Sequence, residues 1–315
     1  MYDLLRIFQF LSDRGRSGEA TCLVTVTRVT GASVRNPGAH MAVAQDGAYR
    51  GSLSGGCIEQ AVVAEALEAI REQRPRMVTY GSGSDLVDIR LPCGGSVHLL
   101  FTPLSGSTLA DQVNDTLAQR GPCVISLSST SDQPRLSAEG ATGWAGDMFA
   151  VRHYPPLRLV IAGHGASVTA LARLALAMDI ATYVGSPDAQ LVREMAKDPA
   201  LEAHHLEKLT APVPVALDPW TAVVFLFHDH DWEAALMKAA AQSSAFFIGA
   251  MGSRKTHQAR REILAQMGLA DELIERIEGP IGLIPSSRDP ETLALSTLAQ
   301  VVDRYNALIG AQYNA

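Results

Sequence analysis

The chain has 315 residues, 47% of them hydrophobic, and 26 Lys and Arg against 33 Asp and Glu leave a net charge of −7. That length exceeds one usual domain, and the acidic balance argues against a dedicated nucleic-acid binder. No apolar run approaches the roughly 18–20 residues of a membrane span, and Asp3, Arg6, Asp13 and Arg14 interrupt the first segment, so a cytoplasmic protein with no membrane partner is expected.

Residues 1–16 read as a short amphipathic helix with Leu4, Leu5, Phe8 and Leu11 on one face. The β-branched stretch 21–30 predicts a strand, and a second is expected near 41–44, after the turn at Asn36-Pro37-Gly38. Gln45-Asp46-Gly47 makes a hairpin turn. Beyond the glycine-rich residues 51–56 a helix follows, with Ile58, Val62, Ala66, Ala69 and Ile70 along one face. Strands at 77–80, 96–102 and 123–128 and a helix around 109–119 complete an N-terminal mixed α+β domain over residues 1–128.

Residues 129–156 are polar, dotted with Gly and Pro, and read as a linker whose Trp144, Phe149 and Tyr154 pack on a neighbour. From 157 to 315 short apolar runs alternate with helices, the pattern of a C-terminal Rossmann-like domain with a parallel sheet. Its strands are expected at 158–162, 180–184, 222–227 and 245–248, with a helix at 167–178. The last helix starts with Asp289 as N-cap and Pro290 at its first position. The fold class is α/β.

Four cysteines, Cys22, Cys57, Cys93 and Cys123, lack the C-x-x-C spacing of a structural zinc site, and disulfides are not expected. Cys22 and Cys123 sit in apolar β-like runs and read as core. Cys57 differs. It ends Gly51-Ser52-Leu53-Ser54-Gly55-Gly56-Cys57-Ile58-Glu59, where glycines free backbone amides to turn toward one point at a helix start. Such a loop makes an oxyanion site, and a thiol there favours the reactive thiolate. The bland alternative is a tight turn with a buried, inert cysteine. Leu91-Pro92-Cys93-Gly94-Gly95 is a second glycine–cysteine turn, and two such thiols can converge on one soft ligand.

Gly163-His164-Gly165 stands between a predicted strand and helix, as in a nucleotide-binding turn. The third glycine position is Val168, and Val184-Gly185-Ser186 stands where a ribose-reading acid belongs, so NAD(P) is a doubtful ligand. His228-Asp229-His230-Asp231 follows a strand end, either as a metal site or as a polar loop capping a helix. Ile248-Gly249-Ala250-Met251-Gly252-Ser253-Arg254-Lys255-Thr256-His257 runs a strand into glycines and a basic helix start, a second oxyanion geometry. Gly279-Pro280-Ile281-Gly282-Leu283 reads as a rigid turn over the same sheet edge.

Together with Gly31-Ala32-Ser33-Val34-Arg35-Asn36-Pro37-Gly38-Ala39, these blocks resemble, in order along nearly the whole chain, the XdhC/CoxI family of xanthine dehydrogenase accessory proteins. The resemblance implies a non-catalytic chaperone that binds molybdenum cofactor of the molybdopterin type, assists its sulfuration and inserts it into an apo molybdenum hydroxylase. It implies a sulfur donor such as a cysteine desulfurase as a further partner, and homodimer formation. Carried onto this chain, it makes Cys57 and then Cys93 the metal–sulfur ligands. Ser54, Gly55, Gly56, Glu59, Gly94, Gly163, His164, Gly252, Ser253 and Arg254 become cofactor contacts. Rival readings are an NAD(P)-dependent oxidoreductase, a metal-dependent hydrolase using His228, Asp229 and His230, and a hydroxylase partner that never touches cofactor.

Overall fold

The computed structural model describes residues 3–31, 35–82, 94–130, 133–209, 215–228 and 231–313. Two compact units meet in sequence at Pro155 and Pro156.

The first unit runs α1 (Asp3–Arg16), β1 (Thr21–Thr30), β2 (His40–Ala44), β3 (Tyr49–Arg50), α2 (Glu59–Glu72), β4 (Arg76–Gly81), β5 (Ser96–Leu104), α3 (Thr108–Ala118), β6 (Cys123–Ser128), β7 (Arg135–Ser137), β8 (Gly143–Ala145) and β9 (Met148–His153). Antiparallel pairing makes a five-stranded sheet, β3-β2-β1-β5-β4, and a four-stranded one, β7-β6-β9-β8. Strand β1 is buried on both faces. Cys22, Val24 and Val26 meet Val62, Ala66 and Ala69 of α2, while Leu23 joins Phe8, Val113 and Phe149 in a second core. Alternating side chains thus feed two cores from one strand, which is why β1 is buried at each position from Thr21 to Thr27.

The segment expected as a linker carries β7, β8 and β9 instead. Strand β9 pairs with β6 from Cys123↔His153 to Ser128↔Met148, and Phe149 and Val151 are fully buried. These strands are short and broken by glycines at 140, 143 and 146, so their composition reads as loop while ladder pairing and two buried side chains hold them. Of the three aromatic residues, Phe149 and Tyr154 are buried and Trp144 lies against Phe149 while 42% exposed.

Two histidines share this second core. The His40 Nε2 and His153 Nε2 atoms are 3.0 Å apart, and the Thr25 hydroxyl meets His40 Nδ1 at 2.8 Å. The Phe8 ring stands edge-on to both imidazoles. Burial pushes the His153 imidazole down to about 4; burial and the facing His153 hold His40 well below its ordinary value. An unfolded histidine takes up its proton near pH ~6.5, so the unfolded chain binds more protons below that point and stability falls with pH. Burial and Arg28 shift His98 in the same direction. Urea unfolding of the first unit should therefore show a midpoint that drops as pH falls from about 6.5 toward 4. A midpoint flat over that range would mean the pair is solvated.

The second unit alternates strands and helices except at β12–β13 and α7–α8: β10 (Arg158–Gly163), α4 (Ala166–Ala177), β11 (Ala181–Ser186), α5 (Ala189–Met195), β12 (Leu201–His205), β13 (Thr221–Leu226), α6 (Glu233–Ala241), β14 (Phe247–Ala250), α7 (Arg254–Gln266), α8 (Asp271–Glu275), β15 (Ile277–Glu278) and α9 (Pro290–Tyr313). All pairs in its six-stranded sheet, β12-β11-β10-β13-β14-β15, are parallel. Successive strands leave β10 first toward β12 and then, from β13, toward β15. The topological switch point therefore lies between β10 and β13, where open α/β sheets bind ligands. No helix among the described residues is long and apolar enough to cross a membrane.

Candidate functional site

Two features of the structure present chemistry, one in each unit. In the first unit, Leu53 and Ile58 are each 2% exposed and pin both ends of the glycine loop into the core beneath α2. Gly51 (φ 92°) passes so close to the chain that a Cβ would lie 2.8 Å from the His40 carbonyl oxygen, so no larger residue fits. Arg35 Nε donates to the Ser52 carbonyl from outside.

The loop amides do gather on an anion, and that anion is the chain's own Glu59. Its Oε1 accepts from the Ser52 hydroxyl (2.7 Å) and the amides of Leu53 and Ser54 (3.1 and 3.0 Å). Its Oε2 accepts from the Ser54 hydroxyl (2.6 Å) and the amides of Gly56 and Ile58 (3.0 and 3.2 Å). The Ser54 oxygen in turn accepts from the amides of Cys57 and Ile58, and Ser52 Oγ from that of Gly55. Burial opposes ionisation of Glu59, yet the hydrogen bonds from Ser54 and Ser52 outweigh it and bring the carboxyl down to about 2. The oxyanion geometry expected of Ser54, Gly55 and Gly56 is thus spent internally. What the loop offers outward is Cys57, exposed beside Gly55 and Gly56.

The second feature is a cavity of about 910 Å³ over the carboxyl ends of the parallel strands. Three helix N-termini border it, those of α4 (Ser167), α7 (Ser253 and Arg254) and α9 (Asp289 and Pro290), and Arg288 adds a second cation. Ser253 caps α7 by accepting from the Thr256 amide, and Asp289 caps α9 through the Thr292 amide. The wall from Pro280 to Gly282 is strapped to α9. Gln300 accepts from the Gly282 amide (2.5 Å) and donates to Glu278 (2.7 Å), which Arg304 also grips through two nitrogens. The partial positive charge of the helix starts and the two arginines suit an anionic ligand.

The Rossmann turn is built as the glycines imply. A Cβ on Gly163 would lie 2.5 Å from the Leu226 carbonyl oxygen of β13, and Gly165 (φ 82°) caps α4. Val168, at the third glycine position, is fully buried against the sheet. Asp188, the nearest acid to the end of β11, spends its carboxylate capping α5 through the Gln190 and Leu191 amides. Gly185 and Ser186, both buried, end β11 where a ribose-reading acid would stand.

Comparison with known proteins bears on both units. The XdhC Rossmann domain model matches residues 159–301, and the model of the XdhC and CoxI family matches residues 15–81. The molybdenum cofactor insertion chaperone PaoD of Escherichia coli (strain K12) is 34% identical over 296 residues, 94% of this chain and 86% of that protein. The chain belongs to the XdhC and CoxI family. A second protein of the same organism, the uncharacterized YqeB, is 27% identical over 85% of this chain, which spans 40% of its length. A Bacillus halodurans crystal structure described as a xanthine dehydrogenase shares the fold, with a TM-score of 0.73, 24% identity and 96% of each chain covered.

The expected XdhC/CoxI residues fall into three groups. Ser54, Gly55, Gly56 and Glu59 build the loop that displays Cys57. Gly252, Ser253 and Arg254 line the cavity, whereas Gly163 and His164 form the neighbouring turn. Cys93, Asp229 and His230 lie outside the described residues; Gly94 is exposed with φ 69° at the start of β5. Cys22 and Cys123 are core, and burial raises both thiols, Cys123 to about 11. Among the described residues no group of three or more His, Cys, Asp or Glu could hold a metal ion. Sequence reasoning missed Ser167 and Arg288. The Asp289-Pro290 helix start was the available signal, since the residue ahead of an N-cap stands at the positive end of α9 as Arg254 does at that of α7.

Proposed function

We propose that this chain binds molybdenum cofactor, assists its sulfuration and hands it to an apo molybdenum hydroxylase, without turning over the hydroxylase's substrate. The observation that carries the reading is the exposed Cys57 thiol on a loop braced from within by Glu59, in a chain 34% identical to a molybdenum cofactor insertion chaperone. Bound cofactor supplies a soft metal–sulfur centre at one end and a phosphate at the other. Cys57 is the ligand or sulfur-handling residue for the first, with Cys93 as its companion. Within the second unit, a cavity of about 910 Å³ with Arg254, Arg288 and three helix starts has the size and charge for an anionic ligand. A cysteine desulfurase or another sulfur donor completes the partner set, the protein works in the cytoplasm, and it associates as a homodimer.

The test is Cys57→Ala, with cofactor measured as fluorescent pterin released by oxidation. Outer-shell changes at metal sites cost about 10–100-fold in affinity, so loss of a direct ligand should lower co-purified cofactor about tenfold or more while the fold persists. Stoichiometric cofactor in that variant would remove Cys57 from the site. The oxidoreductase alternative loses its ribose anchor to the α5 cap, and an NADH titration showing tight binding would restore it.

A further inference from the structure

We infer that the strap at 283–288 and the adjoining face of α9 are the docking surface for the receiving apo-hydroxylase, through an apolar centre and a cationic rim. Leu283, Ile284 and Leu295 are 57%, 44% and 54% exposed. The fold sets their two segments side by side. The Leu283 amide donates to the Ser296 carbonyl (3.3 Å) and the Ile284 amide to the Ser296 hydroxyl (2.7 Å), so the strap lies against the residue that follows Leu295. Gly282 (φ 104°) enters so close that a Cβ would collide with that hydroxyl, which fixes the strap on the helix. One exposed leucine is ordinary, but three large apolar side chains gathered from two segments make a patch of the kind that binds another protein.

Position and charge say which protein. Ile284 and residues 285–288 also line the 910 Å³ cavity, so the patch is continuous with its rim. A ligand handed on from the cavity leaves past that rim, and an enzyme that receives it must sit there. Arg254 and Arg288 stand exposed at the rim and Lys255 follows in the first turn of α7. The facing acids are Glu291 and Asp289, and Asp289 spends its carboxylate on the α9 cap. On a chain of net charge −7 this is a local positive excess, to which the helix starts add. It fits a partner face with carboxylates around an apolar centre. A second copy of this chain, pairing the same patch with itself, would set like cations together. The inference rests on the delivery reading, which supplies the receiving enzyme.

The experiment measures association of the cofactor-loaded full chain with the apo-hydroxylase that it activates in co-expression, together with the activity gained. Leu283→Glu with Leu295→Glu should weaken association about tenfold or more and reduce activation in step. Pterin released from the variant before mixing, and its unfolding midpoint, should equal the parent's. Should the glutamates disturb folding, Leu283→Ala with Leu295→Ala is expected to weaken association about fivefold. Met178→Glu, at an exposed apolar residue beyond the far end of α4, should change nothing. Association should also slow as salt rises. A loaded double variant that associates and activates as well as the parent would overturn the docking surface alone, as would its conversion from dimer to monomer, which would assign the patch to a second copy. A parent chain that carries no cofactor and activates no hydroxylase would overturn the delivery reading, and the docking surface with it.

Discussion

Replacing Glu59 by alanine is expected to destabilise the first unit by about 3 kcal/mol or more and to release the loop that carries Cys57. Each partner that the structure gives this carboxylate is a donor: the hydroxyls of Ser52 and Ser54 and the amides of Leu53, Ser54, Gly56 and Ile58. Hydrogen bonds to a charged group contribute about 1.5–3 kcal/mol each, and a buried donor left unsatisfied costs about 1–3 kcal/mol. The sum is not additive, and exposed members such as Gly56 recover water, which brings the expectation to the lower end. Glu59→Gln should be intermediate, because an amide turns its NH2 toward a ring of donors. The folded carboxyl ionises near 2 and an unfolded one near 4.5, so its contribution is complete above pH 4.5 and is lost as pH falls toward 2. Urea midpoints of the three proteins at neutral pH, with alkylation rates of Cys57, check both parts. An alanine variant as stable as the parent would mean that the loop amides are solvated.

Glu233→Ala is expected to cost the second unit about 3–5 kcal/mol, because it strands the Arg260 guanidinium in the core. Arg260 donates through Nε and Nη2 to the two Glu233 oxygens at 3.0 and 3.1 Å, and through Nη2 to the Met251 carbonyl at 3.0 Å. Glu233 and Arg260 are 2% and 4% exposed, joining α6 to α7. The Met251 contact ties this pair to the cavity, so anion binding there should weaken along with stability. The double variant Glu233→Leu with Arg260→Met removes both charges and should regain most of the loss, since a well-packed apolar pair often matches a buried ion pair. The measurement is urea unfolding of that unit at constant m-value. A single variant no worse than the double would mean that water reaches Arg260.

Much of the fold was legible because periodicity is local. The helical stripe Val62, Ala66, Ala69 and Ile70 is the buried face of α2, and the Asp289-Pro290 pair does open α9. Strands β7 to β9 were not legible. They are short and separated by glycines, and what holds β7 and β9 is pairing with β6, a partner about 10–30 positions away that no short window contains, while β8 pairs in turn with β9. Strand β14 begins at Phe247, two residues beyond the expected start, because Ala245 and Phe246 are still part of the turn that enters the sheet.

The candidate site divides in the same way. Residue order alone placed a thiol beside two glycines before a helix, and it separated Cys57 from Cys22 and Cys123, because neighbours along the chain decide whether a cysteine sits in an apolar run. It also carried the family, whose blocks are contiguous stretches. Folding in three dimensions decided that Glu59 turns back to fill the loop and that Arg288 joins Arg254 over one cavity. Those outcomes depend on which groups approach through space. A carboxylate finds whatever donors lie within about 3 Å, and that distance is set by packing among residues far apart in the chain.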